Sequence, residues 1–280
     1  MQPVTKGVYA IVGPLGNRDK ANLGNNATFG LVVTDAGAVL IDPGGSAKGA
    51  AQLEATVRTV TDKPIVAVVN TGGQDHRWLG NGYFKARGAT IYAAEDAVAD
   101  QRARFDMQYQ VLDALIGTEN LAGTNAVHAD VTYSGKFAFD VGGLRIRLIQ
   151  GRAHTPGDAI VWLPGKDVAF TGDLVYTERL LGIVEVSSLN DWIDSFAALE
   201  NLNPKYVVPG HGHATTLSRA RADTGEYLRN LQVKVRASIA AGKTDRAAVA
   251  VDQSRWANLR NFDQLAKRNA LAAYIQLEFE

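Results

Sequence analysis

Four polar residues with metal-binding chemistry recur in one kind of setting. His76 ends the run Asn-Thr-Gly-Gly-Gln-Asp-His of residues 70–76, and His154 lies in Gly-Arg-Ala-His-Thr-Pro-Gly-Asp of residues 151–158. Asp173 ends Thr-Gly-Asp at 171–173, and His211 lies in Pro-Gly-His-Gly-His at 209–213. Each is in a glycine-containing loop next to an apolar, strand-like stretch, the kind of place where a rigid sheet presents chemistry. Of the five histidines only His128 falls outside such a context. Imidazoles and carboxylates gathered from separate loops at one sheet edge make a nitrogen and oxygen site suited to zinc, iron or manganese. Such an ion lowers the pKa of bound water and polarises a carbonyl or phosphoryl oxygen.

The composition narrows the partners. The chain has 280 residues, 46% hydrophobic and 21% charged, enough for one large core. Residues 1–280 read as one domain, because no linker or long charge run divides them. The formal charge is zero and no dense Lys/Arg cluster appears, so neither nucleic acid nor an anionic membrane has electrostatic support as a partner, and a small-molecule substrate fits better. With no cysteine, thiolate ligands, disulfides and a thiol nucleophile are excluded together. No apolar run approaches the roughly 20 residues of a spanning helix. The chain reads as soluble: either a mature periplasmic form without its signal peptide, given how close the first strand stands to Met1, or a cytoplasmic protein.

The elements that must position these residues follow the apolar pattern. Residues 7–12 form a first strand, and 28–34 and 36–41 form two strands around the tight turn Asp35-Ala36-Gly37. Ser46 caps a helix reaching about Thr61, and residues 64–69 make a β-branched strand that delivers the 70–76 loop. This strand, helix, strand order makes the sheet at least partly parallel. A short helix over 78–86, a strand over 90–93 and a long helix over 94–116 come next. Alternation from 131 to 150 around the turn at 140–143 predicts a hairpin. Strands at 159–163, 168–170 and 206–208 follow, with a helix capped by Asn190 running to about Leu199. The C-terminal segment of about 216–280 predicts three helices packed on the domain, with Thr244 capping the second and Asp263 the third. Those helices either cap the active-site edge or form a homodimer contact.

In this order the motifs resemble the metallo-β-lactamase superfamily. That family shows an Asp after an early strand, a His-x-His-x-Asp-His loop, a His in Gly-x-x-His-Thr-x-Gly, an Asp after Thr-Gly, and a late His in Pro-Gly-His. Here the matches are Asp42, the loop ending Asp75-His76, His154, Asp173 and His211, spanning about Val8 to His213. The resemblance implies an α+β fold, a four-layered αββα sandwich with mixed sheets and a one- or two-metal site at the sheet edges. It further implies that Asp75, His76 and His211 are ligands of the second metal, Asp173 the carboxylate bridging both, His154 a ligand of the first, and Asp42 a buried residue that orients the site.

The chain departs from the family in the 70–76 loop. Aligned on Asp75-His76 the first two histidines of the motif fall at Thr71 and Gly73; aligned on Asn70-Thr71 with a one-residue deletion they fall at Gly72 and Gln74. Neither alignment supplies an imidazole. The first site therefore keeps only His154 and Asp173, whereas the second keeps a near-complete set, and one zinc ion per chain is expected, with manganese or iron as substitutes. The implied activity is hydrolysis of an ester, lactone, thioester or amide, with Asp75 or Asp173 activating water. A member of the fold without catalysis, or with different catalysis, is the alternative. Tyr176 resembles in position a tyrosine that lactone-hydrolysing relatives direct at the substrate carbonyl. Gln74, Trp78 and His213 are candidates for the pocket, and His128 is read as structural.

Overall fold

The computed structural model describes residues 1–245 and 249–279. Seven strands form a first sheet in sequence order: β1 (Gln2–Thr5), β2 (Val8–Val12), β3 (Thr28–Thr34), β4 (Gly37–Ile41), β5 (Ile65–Val69), β6 (Thr90–Ala94) and β7 (Val131–Tyr133). β1 to β4 pair antiparallel, and β4 to β7 pair parallel. β8 (Lys136–Val141), β9 (Leu144–Arg152), β10 (Pro156–Leu163), β11 (Val168–Phe170) and β12 (Tyr206–Val208) form the second sheet, in the order β12-β11-β10-β9-β8. Only its β11 to β12 pairing is parallel.

The two sheets share one core. Val32, Val39, Ile41 and Val69 of the first meet Leu148, Val161, Phe170 and Val208 of the second. Gly30 on β3 lets them approach: a Cβ there would stand 2.3 Å from the Phe170 ring. Helices cover the outer faces. On the first sheet, α1 (Ala47–Arg58) and α2 (Asn81–Lys85) bury Ala50, Leu53, Val57 and Phe84 against Leu31, Leu40 and Val68. α3 (Glu95–Ile116) is followed by the short α4 (Thr118–Leu121), and the two bury Leu112, Ile116 and Leu121 with Trp78 and Leu79. On the second sheet, α5 (Leu189–Leu202), α6 (Leu217–Ala220), α7 (Glu226–Ala240) and α8 (Phe262–Leu277) pack Trp192, Phe196, Leu231 and Tyr274 against Ile160 and Trp162. The result is the expected αββα sandwich of class α+β with mixed sheets. Among the described residues no helix is long and apolar enough to cross a membrane.

Several boundaries differ from the expectation. The segment 131–150 is not one hairpin: Val131–Tyr133 leaves to pair with β6, and only β8 and β9 form the hairpin. A three-residue strand carries too little alternation to reveal which sheet it joins. The helix expected after Asn190 is capped two residues earlier by Ser188, because the Asn190 amide oxygen accepts instead from Gln232 of α7, 2.7 Å away. Asn261, not Asp263, precedes α8, in left-handed backbone at φ 65°. The helix expected after Thr244 falls on residues 246–248, outside the described residues.

Candidate metal centre

Every proposed site residue sits at or just beyond the end of a strand that runs parallel to a neighbour, or in the turn leading into β10. β5 ends at Val69, and Asn70 then locks to Asn81 through two reciprocal amide bonds of 2.9 Å, closing the base of the loop. Thr71 is tied to Asp42, which follows β4: its N–H and hydroxyl donate to the two Asp42 oxygens at 2.7 and 2.8 Å. Residues 75–77 then make a single 3-10 turn. Asp173 follows β11, and His211 follows β12.

Three of these residues converge. His76 Nε2 lies 3.2 Å from one oxygen of Asp173, and His211 Nε2 lies 3.2 Å from the other. Their ligand atoms all fall within 4.8 Å of one another. Two ligands on one zinc ion at about 2.1 Å stand roughly 3.4 Å apart, so the spacing fits a single ion. The tautomers fit as well. His76 Nδ1 is 3.0 Å from Asp75 Oδ1, and His211 Nδ1 is 3.0 Å from the Asn26 carbonyl, so each Nδ1 carries the proton and donates. Arg179 Nη1 also approaches His211 Nδ1, but at 3.4 Å it is the more distant partner. Each Nε2 then turns a lone pair toward a carboxylate oxygen. Two acceptors at this distance repel unless a proton or a metal cation lies between them, and a ring fixed through its other nitrogen is the usual support for a ligating histidine.

The residue next in sequence, Arg77, was not singled out from the sequence and is fully buried in the site. Nε and Nη2 donate to the two oxygens of Asp173 at 3.2 and 2.7 Å, and Nη1 donates to Asp42 at 2.8 Å. The remaining two N–H groups reach the carbonyls of Thr28 at 3.3 Å and Gly210 at 3.0 Å. All five guanidinium donors are thus used. Gly210 makes room, since a Cβ there would stand 2.5 Å from Nη2. Burial opposes the charge of Arg77, but Asp173 and Asp42 outweigh it and raise its pKa. Burial likewise opposes the Asp173 carboxylate, yet Arg77 and His76 hold it well below the usual range. Asp42 shifts the other way: burial raises its pKa, and Arg77 and Thr71 do not outweigh it.

Asp75, expected as a ligand, lies outside the converging group. One oxygen accepts from the backbone N–H and Nδ1 of His76, and the other is 3.1 Å from Arg18 Nε. Burial alone would raise this carboxyl, but Arg18 and His76 bring it down to about 2.

Other groups fill the space beside the two glycines of the 70–76 loop. A Cβ on Gly72 would stand 2.3 Å from Asp158 Oδ1, and one on Gly73 would stand 1.9 Å from Asp100 Oδ2. Asp100 pairs with Arg104 one turn along α3. Gln101 and Gln108 of the same helix donate to the Gly72 and Gly73 carbonyls at 3.3 and 2.9 Å. Gln74 is only half-buried, and its side chain makes no capping bond to the turn that follows.

The remaining candidates separate. His154 is buried but is not part of the three-residue group; its Nδ1 lies 3.0 Å from the Gly182 carbonyl, and burial pushes its pKa down to about 4. Tyr176 stacks on His211 with ring centres 4.7 Å apart, and burial together with Asp173 keeps its phenol protonated. Trp78 is core rather than pocket wall: it is fully buried, stacks on His128 at 5.2 Å and donates to Gln108. His213 points to solvent and pairs with Glu178 at 2.9 Å.

Asp158 carries a pH prediction. Its carboxylate accepts from the Thr155 hydroxyl at 2.5 Å and N–H at 2.8 Å, and burial, with Asp173 adding, pushes its pKa up to about 8. The folded state then binds the proton more tightly than the unfolded state, whose carboxyl titrates near 4. Stability from this group is therefore lost as pH rises from about 4 to about 8. Asp158→Asn should gain stability relative to the parent across that window, read as the difference in urea midpoints at pH 5 and pH 8. Equal differences at both pH values would refute it.

Comparison with known proteins identifies the fold and its family. The chain is 27% identical over 199 residues to a metallo-beta-lactamase type 2 of Elizabethkingia meningoseptica, covering 66% of this chain and 68% of the relative. It is 25% identical over 203 residues to an uncharacterized protein of Mycobacterium bovis. Among solved structures, a metallo-beta-lactamase from Pontibacter korlensis superposes at TM-score 0.63 with 24% identity, over 82% of this chain and 98% of that one. The sec-alkylsulfatase Pisa1 from Pseudomonas sp. superposes at TM-score 0.73 with 19% identity, over 99% of this chain and 50% of that one. These structures share the fold. A family model described as "Metallo-beta-lactamase superfamily" matches residues 24–211, which hold Asp42, His76, His154, Asp173 and His211, and the chain belongs to that superfamily.

Proposed function

We propose that this protein is a metal-dependent hydrolase of an ester, lactone, thioester or amide, working with one zinc ion held by His76, Asp173 and His211. Membership of the superfamily supports a metallo-hydrolase type of activity. The observation that carries the single site is the pair of Nε2 atoms facing the two oxygens of Asp173 while both Nδ1 atoms are already bonded. The ion supplies a polarised carbonyl and a water of lowered pKa. The chain's own groups do the rest: Asp75 and the Asn26 carbonyl hold the imidazoles, Arg77 holds Asp173, and the protonated Tyr176 phenol donates a hydrogen bond to Asp173. Manganese or iron would suit the same donors.

Protein purified without chelator is expected to contain about one zinc per chain, read by elemental analysis and by titration of the metal-free protein. Two ions at full occupancy would overturn the assignment, because the space beside Gly72 and Gly73 is taken by Asp158 and Asp100. A second reading, a member that kept the frame without catalysis, draws on Arg77, which already neutralises Asp173, and on the 1–3% exposure of the three residues. Absence of metal, and no uptake of added zinc or manganese, would favour that reading.

A further inference from the structure

A sheet edge presents a row of backbone N–H and C=O groups that can pair with another chain, and proteins blunt such edges with proline, bulges, brevity or a covering segment. Three of the four edges of this sandwich are blunted. β1 holds Pro3 and a register shift between Pro3 and Thr5, and the Gln2 side chain bonds the backbone of Ala214. β7 is three residues long. β12 is equally short, and its Val207 is bridged by Thr215. β8 is the exception: it runs for six residues, contains no proline and pairs with β9 without a register shift.

The ladder decides which groups of β8 face outward. The Gln150 N–H donates to the Gly135 carbonyl at 2.8 Å, so the hydrogen-bonded pairs continue at every second residue, at Phe137, Phe139 and Val141. The N–H and C=O of Lys136, Ala138 and Asp140 therefore point away from β9, and among the described residues none of them meets another segment. Phe137 and Phe139 are only half-buried at the rim of the core between the sheets, with Tyr92 stacked on Phe139 at 4.2 Å. On the opposite face Lys136 and Asp140 are exposed and flank Ala138. Asp140 pairs with Arg145, whereas Lys136 has no ion-pair partner among the described residues.

This edge is complementary to itself. Antiparallel pairing about a two-fold axis at Ala138 sets Lys136 of one copy opposite Asp140 of the other, and Phe137 opposite Phe139. Each outward N–H then meets an outward C=O, and both the charge pairs and the aromatic pairs lie directly across the new ladder, where such pairs are favourable. Any other antiparallel register breaks both charge pairs. We propose that β8 is the interface of a homodimer, in which the five-stranded sheets of two copies join edge to edge as one continuous sheet. The interface does not depend on the hydrolase reading. One strand pair covers little area, so the association is expected to be reversible and micromolar rather than tight.

Sedimentation equilibrium of the full chain from about 1 to 200 μM at low salt reads the association, and a monomer–dimer equilibrium is expected. K136E and D140K each bring like charges together at both ends of the strand pair, and each should weaken the dimer at least about tenfold. An equal mixture of K136E and D140K should recover it, because opposite charges face each other again in the mixed dimer. A138P removes an N–H that β9 does not use, so it should abolish the dimer while circular dichroism shows a folded chain. If A138P does not fold, the charge variants decide alone. I275K on α8, where Ile275 is 58% exposed, should change nothing. Amide exchange at Lys136, Ala138 and Asp140 should slow as concentration rises. A parent chain that stays monomeric overturns the proposal, as does a dimer that K136E and D140K leave intact, a mixture no more associated than its components, or a dimer that only I275K disrupts.

Discussion

Arg77→Met should be the most destabilising single change in the site. The methionine removes five donors at once and leaves Asp42 and Asp173, both about 1% exposed, without the cation that pairs with them. Breaking a buried pair by removing one partner costs about 3–5 kcal/mol. In a domain of this size that corresponds to a fall in Tm on the order of 10 °C. The expected loss is read from urea unfolding at pH 7. Adding Asp42→Asn to Arg77→Met should recover part of it, because one of the two stranded charges is then gone. A double variant as unstable as the sum of the two single changes would show that Arg77 acts through packing alone. Arg77→Lys should sit in between, since a lysine keeps the charge but cannot span Asp173, Asp42 and two carbonyls with three donors.

The second large effect is on metal binding. His76→Ala and His211→Ala each remove one of the three proposed ligands and should lower zinc affinity by well over about 100-fold, beyond the 10- to 100-fold typical of losing a supporting residue. Asp75→Asn should fall inside that supporting range, because Asp75 bonds His76 Nδ1 and Arg18 rather than pointing into the group. His154→Ala should change affinity least. Competition with a chromogenic chelator gives all four values. If His154→Ala proved the most damaging, the ion would lie nearer the turn before β10, and the assignment to His76, Asp173 and His211 would be wrong. If Asp75→Asn equalled His76→Ala, Asp75 would be a ligand and the loop would have to shift on loading.

The sequence by itself determined the frame. The β-branched run at 65–69 and the glycine turns that follow each strand end are local signals, because a strand's alternation and a turn's backbone demands lie within a few consecutive residues. The order of Asp42, the 70–76 loop, His154, Asp173 and His211 was therefore readable, and the resemblance carried by that order implied the αββα sandwich. Ser46 was legible as a cap for the same reason.

What the tertiary structure decided was which of these groups meet. Asp75 and His76 are adjacent in sequence and equally plausible ligands, but the 3-10 turn at 75–77 points His76 at Asp173 and leaves Asp75 behind the ring. Arg77 carries no motif, and its role depends on Asp42, Asp173, Thr28 and Gly210, which are 35, 96, 49 and 133 positions away along the chain. The same holds for the space beside the loop glycines, filled by Asp158 from β10 and Asp100 from α3. Sequence fixes the chemistry a residue carries and the local shape of its loop. Which cation neutralises which buried carboxylate is set by the packing of distant strand ends, and no local pattern encodes that.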